Sequence, residues 1–236
     1  MNLTKRVALS AISCGLKLPG IPIDRYQELT YLKQLIKSLD INCVFDVGAN
    51  KGQFATELRQ IGYRGLICSF EPLSLEFSYL SHAFRNDPYW QGYQIALGHE
   101  NGKTVINVIP NLTVMSSLLQ SKVRWQGMKA EEIEIRRLDD FFTDFINNIS
   151  IQNLRIFLKM DTQGYDMNVF EGGRGCLHFV QGLQSELSIV PLYYGMPHYI
   201  QALETYEQAG FKLYNLSVVS RTGEGDLQEL NCMMRR

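Results

Sequence analysis

The sequence lacks an excess of charge of either sign. Lys and Arg together number 23 against 24 Asp and Glu, for a formal net charge of −1. Gripping a nucleic-acid backbone takes clustered Lys and Arg, so a nucleic-acid partner is not expected. Long apolar runs are also missing: none approaches the roughly 18 residues that a transmembrane helix needs. The 5 cysteines (Cys14, Cys43, Cys68, Cys176 and Cys232) show neither a CxxC pair nor metal-ligand spacing. Buried, reduced thiols in a cytoplasmic protein are the expectation. A clean leader peptide is absent too. Lys5-Arg6 precede a short apolar stretch ending near Leu18, but no small-residue cleavage site follows it. Repeats, low-complexity segments and linkers are lacking, which favours one domain with an N-terminal extension.

What is present centres on Val44-Phe45-Asp46-Val47-Gly48-Ala49-Asn50-Lys51-Gly52-Gln53-Phe54. Its first residues continue an apolar run from Ile41 and read as a buried strand. Two glycines follow, and Phe54, Leu58 and Ile61 then recur at helical spacing. Strand, glycine turn and helix open a nucleotide-binding βαβ unit. Gly48 permits the tight turn, and Gly52 lets the helix approach strand and ligand. Glu71 closes the second strand 23 residues after Gly48, an offset suited to accepting hydrogen bonds from ribose hydroxyls. Dinucleotide sites read G-x-G-x-x-G against a pyrophosphate. Here Asn50 stands at the middle position and Asp46 precedes the first glycine by two. A carboxylate there repels phosphate and attracts a cation, so D-x-G-x-x-x-G favours S-adenosylmethionine over NAD.

Residues 1–18 read as a short helix with Val7, Ile12 and Leu16 on one face, broken at Pro19-Gly20-Ile21-Pro22. Its role is left open between packing on the domain, a homodimer contact and a lipid surface. A second helix is expected over 25–39, and strand 65–70 leads through Glu71-Pro72 into a helix over 73–85. A third strand is expected around Gln94–Leu97. The span 98–137 fits the alternating pattern least and reads as an insertion near the active-site face. Further strands are expected over 154–160 and 183–189, helices after 164 and over 198–209, and a closing antiparallel pair over 211–219 and 227–234. Strands alternating with helices imply a parallel sheet with ligands at its carboxyl edge.

Asp46, Glu71, Asp161 and Glu186 each stand at or near the carboxyl end of an apolar strand, where an uncompensated charge is costly. Together with Phe70-Glu71-Pro72, Ala96-Leu97-Gly98, Leu138-Asp139-Asp140 and Leu158-Lys159-Met160-Asp161-Thr162-Gln163-Gly164, the glycine stretch resembles the FkbM family of S-adenosylmethionine-dependent methyltransferases over residues 24–234. The resemblance implies an α/β, Rossmann-like class I fold: a mostly parallel seven-stranded sheet of order 3-2-1-4-5-7-6, helices on both faces, and an N-terminal helical extension over 1–23. It implies O-methylation of a sugar, glycan or natural-product hydroxyl. By the same resemblance, the cofactor is held by Asp46, Gly48, Asn50, Gly52 and Phe54 in the loop, Glu71 and Pro72 at the ribose, Ala96 and Leu97 by the adenine, and Asp161.

A sugar hydroxyl has a high pKa, so its methylation calls for a base or a metal. Asp161 is the first candidate base, Glu186 the second and His198 the third. Asp161 and Glu186 on neighbouring strands also form a candidate Mg²⁺ pair through oxygen ligands. His82, His99 and His178 have no acidic or cysteine cluster nearby and read as surface or packing residues. Lys159 is suited to pairing with a carboxylate in the crevice. Ser116 and Ser117 read equally as pocket lining or ordinary loop, and Tyr193, Tyr194 and Tyr199 equally as a stacking platform or rim packing. The alternatives in other classes are an NAD-dependent oxidoreductase, a nucleic-acid methyltransferase and a non-catalytic S-adenosylmethionine-binding scaffold of a biosynthetic complex.

Overall fold

The computed structural model describes residues 23–236, so the helix expected over 1–18 and its dimer contact lie outside the described residues. Seven strands form the central sheet in the order β3-β2-β1-β7-β8-β10-β9. They are β1 (Cys43–Val47), β2 (Leu66–Phe70), β3 (Trp90–Tyr93), β7 (Ile156–Met160), β8 (Val180–Ser188), β9 (Lys212–Arg221) and β10 (Leu227–Arg235). β1 pairs parallel with both β2 and β7, and β10 runs antiparallel to β8 and β9. The chain goes outward from β1 through β2 to β3, then returns to add β7 on the other side of β1. That reversal opens a crevice at the carboxyl ends of β1 and β7.

Alternation along the strands splits the core in two. Val44, Ile67, Phe157 and Met233 point toward α1 (Ile23–Ser38), α2 (Gln53–Gln60) and α3 (Ser74–Phe84), meeting Leu32, Leu35, Ala55, Leu58 and Leu80. Phe45, Cys68, Phe70 and Leu158 point the other way, toward α4 (Leu138–Asn148), α5 (Asp166–Gly172) and α6 (Tyr199–Gln208). On that face Phe45, Phe70, Phe141 and Phe145 pack edge to face at centroid separations of 4.8–5.9 Å, a geometry that aligns ring edges with ring faces. The α4 helix begins with Asp139 and Asp140 in its first turn. Asp139 also accepts the Gly175 and Cys176 N–H groups at 3.2 and 2.9 Å, locking α4 to the turn after α5.

The third strand corrects the expectation at Gln94–Leu97. It is Trp90–Tyr93, whose aromatic ends hold the sheet edge: Trp90 stacks on Phe84 at 5.4 Å and Tyr93 on Phe70 at 5.2 Å. With a glycine at its centre and no aliphatic run, this stretch carries little strand signal. Ala96–Gly98 instead becomes β4 of a separate three-stranded sheet, order β4-β6-β5, with β5 (Gly102–Val108) and β6 (Lys129–Arg137). This is the expected insertion, and its loop over 109–118 overhangs the carboxyl edge of the main sheet. Among the described residues no helix is long and apolar enough to cross a membrane.

Candidate active site

The β1–α2 turn owes its shape to three residues in the left-handed region: Gly48 (φ 73°), Asn50 (φ 47°) and Gly52 (φ 88°). A Cβ on Gly48 would stand 2.0 Å from the Asp161 carbonyl oxygen, so only glycine lets β1 and β7 end side by side. A Cβ on Gly52 would meet Phe84 at 2.6 Å and Leu80 at 2.9 Å. Its close approach is to α3. The Gly48 and Ala49 N–H groups donate to the Phe70 carbonyl at 3.1 and 3.0 Å, and the Asn50 N–H donates to Glu71 Oε2 at 2.7 Å.

Glu71 is 5% exposed and also accepts the Leu73 N–H at 3.0 Å. Two backbone donors orient its carboxyl group into the crevice. Burial dominates those two hydrogen bonds and pushes its pKa up to about 7. Beyond it lies a cavity of about 310 Å³ walled by Gly48, Asn50, Phe54, Glu71, Pro72, Ala96, Leu97, Asp161 and Glu186, a size suited to a small ligand.

The centre of the site is Lys159, which the sequence marked only as a pairing residue. Its Nζ lies 3.0 Å from Asp46 Oδ1 and 3.6 Å from Asp161 Oδ2, and donates to the Val47 and Gly48 carbonyls at 3.3 and 2.9 Å. Burial works against the ammonium, but Asp46 and Asp161 outweigh it and hold its pKa above the ordinary lysine value. Asp46 is fully buried and does not line the cavity. It braces Lys159 from beneath, with the Ser69 hydroxyl at 3.4 Å on its other oxygen. Its expected place at the cofactor is thereby corrected to a supporting one: the cation beside it is supplied by the chain.

Gln163, adopting φ 53°, spans the two catalytic candidates. Its Nε2 donates to Asp161 Oδ1 at 3.3 Å and to Glu186 Oε2 at 3.1 Å, while its Oε1 accepts the Tyr193 hydroxyl at 3.1 Å. Ser117 fixes the same residue from its backbone side, donating to the Gln163 carbonyl at 2.6 Å. Burial, then the negative charge of Asp161, raises Glu186 well above the usual carboxylate range. Asp161 keeps the more open side chain, 46% exposed, with one oxygen toward Lys159.

A model of the methyltransferase FkbM domain matches residues 46–213. The chain belongs to the FkbM methyltransferase family. A comparison with curated proteins finds no match. Among solved structures, an rRNA methylase from Streptococcus thermophilus is 12% identical, with 93% of this chain and 99% of that one covered at a TM-score of 0.47. A precorrin-6y C5,15-methyltransferase from Geobacter metallireducens is 9% identical (94% and 93% covered, TM-score 0.47). Fibrillarin from Aeropyrum pernix, in complex with S-adenosyl-L-methionine, is 10% identical (87% and 73% covered, TM-score 0.47). At these similarities no substrate carries over.

Within this FkbM domain several expectations change. His198 stands immediately before α6 and outside the cavity lining, its ring 4.5 Å from that of Tyr199, so it is not placed to act as a base. Tyr193 is buried, donating to the Met115 carbonyl at 2.8 Å as well as to Gln163; it positions the loop and offers no stacking face. Tyr194 is 58% exposed on the rim. Ser116 lines the cavity, whereas Ser117 is a brace. The proposed Mg²⁺ pair does not fit the donor set. Amide protons of Gln163 occupy one oxygen of each carboxyl group, and no cluster of three or more His, Cys, Asp or Glu suited to a metal occurs among the described residues. Sequence reasoning missed Gln163, Gln184, Arg25 and Asn231 as site residues. Gln163 carried a signal as part of the Asp161-Thr162-Gln163-Gly164 motif, whereas Gln184, Arg25 and Asn231 carried none.

Proposed function

We propose that the chain is an S-adenosylmethionine-dependent O-methyltransferase acting on a hydroxyl of a sugar, glycan or small natural product. Residues 24–236 are taken as its single catalytic domain. The observation that carries the reading is Glu71, an oriented, buried carboxyl group at the end of β2 on the wall of the cavity. A buried acceptor group held by two backbone donors gains most from a diol that fills its remaining lone pairs. The cavity chemistry fits the cofactor: carboxyl groups and backbone, with apolar Ala96 and Leu97 on the adenine side and no phosphate cradle. When bound, S-adenosylmethionine supplies an electrophilic methyl group on sulfur.

The chain's own residues then have defined tasks. The 48–54 loop and Glu71 hold the nucleoside and amino-acid parts in a fixed pose, and orientation of the acceptor oxygen in line with the methyl carries much of the acceleration. Asp161 takes the hydroxyl proton, since it is the exposed carboxylate at the cavity wall. Lys159 and Gln163 keep it from turning away. Glu186 offers a hydrogen-bonding carboxyl group beside it.

Calorimetric titration of S-adenosylhomocysteine into wild type and Glu71→Ala tests the cofactor. Micromolar binding weakened at least about tenfold by the substitution, roughly 1.4 kcal/mol, supports the reading, and no binding to ligand-free wild type sinks it. Methyl transfer from labelled cofactor to hydroxylated acceptors, lost in Asp161→Asn, then separates an enzyme from a non-catalytic scaffold.

A further inference from the structure

The cavity extends past the residues assigned to the cofactor. Glu71 follows β2, and Gln184 lies on β8, three strands away across β1 and β7, roughly 14 Å at the spacing of neighbouring strands. At that far end Gln184 and Glu186 stand two residues apart on one face of β8, and Asn231 of β10 is directly opposite Glu186. Gln184 is 5% exposed, and its Oε1 makes no hydrogen bond. Its register neighbours explain why. Met233 on β10 has no donor to offer, and the Lys159 ammonium on β7 is taken by Asp46, Asp161 and two carbonyls. A buried carboxamide oxygen left without a donor is costly unless a ligand brings one.

The same end of the cavity offers no free cation. Of its two basic lining residues, Lys159 is paired as above. Arg25, in the first turn of α1, is held by Glu28 and by both oxygens of Glu57 at 2.5–3.2 Å, and Asn231 donates to the other oxygen of Glu28 at 2.8 Å. A phosphate or sulfate would meet the Asp161 and Glu186 carboxyl groups on the cavity wall and no unpaired donor charge. Hydroxyl groups, which both donate and accept, match carboxamides and a carboxyl group.

Resting on the methyltransferase reading above, we propose that Gln184, with Asn231 and Glu186, forms the acceptor subsite, and that it selects an uncharged, hydroxyl-bearing acceptor, with Gln184 binding a hydroxyl other than the one methylated. Gln184 is a specificity-determining residue in this assignment and plays no part in holding the cofactor.

The test uses the full chain loaded with S-adenosylhomocysteine, as wild type, Gln184→Met and Gln184→Ala. Saturation-transfer NMR follows methyl α-D-mannopyranoside, methyl β-D-galactopyranoside, glucose 6-phosphate and catechol. Saturable binding of at least one neutral glycoside, weakened tenfold or more in both variants while S-adenosylhomocysteine affinity stays within twofold, is the expected result; retained cofactor affinity also certifies that each variant is folded. Preference for the phosphate ester over every uncharged acceptor, catechol included, overturns the substrate class. A glycoside that binds the variants as well as wild type, or a complete lack of glycoside binding to loaded wild type, overturns the subsite. A parallel fall in cofactor affinity reassigns Gln184 to the cofactor. Failure of wild type to bind S-adenosylhomocysteine at all defeats the underlying reading instead.

Discussion

Glu71 and Lys159 are both buried ionisable groups, and burial has opposite consequences for them. The Glu71 carboxyl group is pushed up to about 7 by desolvation, so its charge is poised near neutrality. A diol donating to it favours the ionised form. S-adenosylhomocysteine affinity should therefore be near maximal at pH 8 and fall by about tenfold toward pH 6, a dependence that calorimetry should find absent in Glu71→Gln. The linkage to folding has the opposite sense. A carboxyl group whose folded pKa lies above its unfolded value contributes stability below the ordinary carboxylate range, and that contribution is lost as pH rises through about 7. Lys159 is instead kept charged by its partners. Lys159→Met should cost about 3–5 kcal/mol in urea denaturation, because Asp46 is then left buried without a counter-charge. The double variant with Asp46→Asn should recover most of the loss. His198→Ala should leave methyl transfer within twofold of wild type, which a single-turnover assay can check, since its ring is outside the cavity. Chelation by EDTA should likewise leave S-adenosylhomocysteine affinity unchanged, because Gln163 already occupies Asp161 and Glu186.

At the scale of elements, the glycine turn has two separable jobs. Gly48→Ala combines a positive φ with a Cβ 2.0 Å from the Asp161 carbonyl. It should destabilise by at least about 1–3 kcal/mol and pull Asp161 out of line, lowering both the melting temperature and turnover. Gly52 faces α3 side chains, whose ends can shift. Most of the strand and helix pattern was legible in the sequence: β1, β2 and β7 are apolar runs, and α2 and α4 show periodic apolar residues. The third strand was not legible. Trp90-Gln91-Gly92-Tyr93 earns its place through aromatic stacking on Phe84 and Phe70, contacts from distant positions that local propensity does not encode.

At the scale of the whole molecule, the sheet order places its reversal between β1 and β7, and the insertion sheet closes the crevice from above. Sequence alone determined the class I architecture, the glycine turn and the place of Glu71, because these rest on local backbone requirements: a turn that needs glycine, and an acid at the end of an apolar strand. It also brought Asp161 and Glu186 to one edge. Only the tertiary structure decided what each carboxyl group does. Lys159 claims Asp46, Gln163 bridges Asp161 to Glu186, and Gln184 is left with an unmet acceptor in the cavity. Those outcomes depend on which side chains from non-adjacent segments share one face of the sheet, and register across strands, rather than spacing along the chain, sets that.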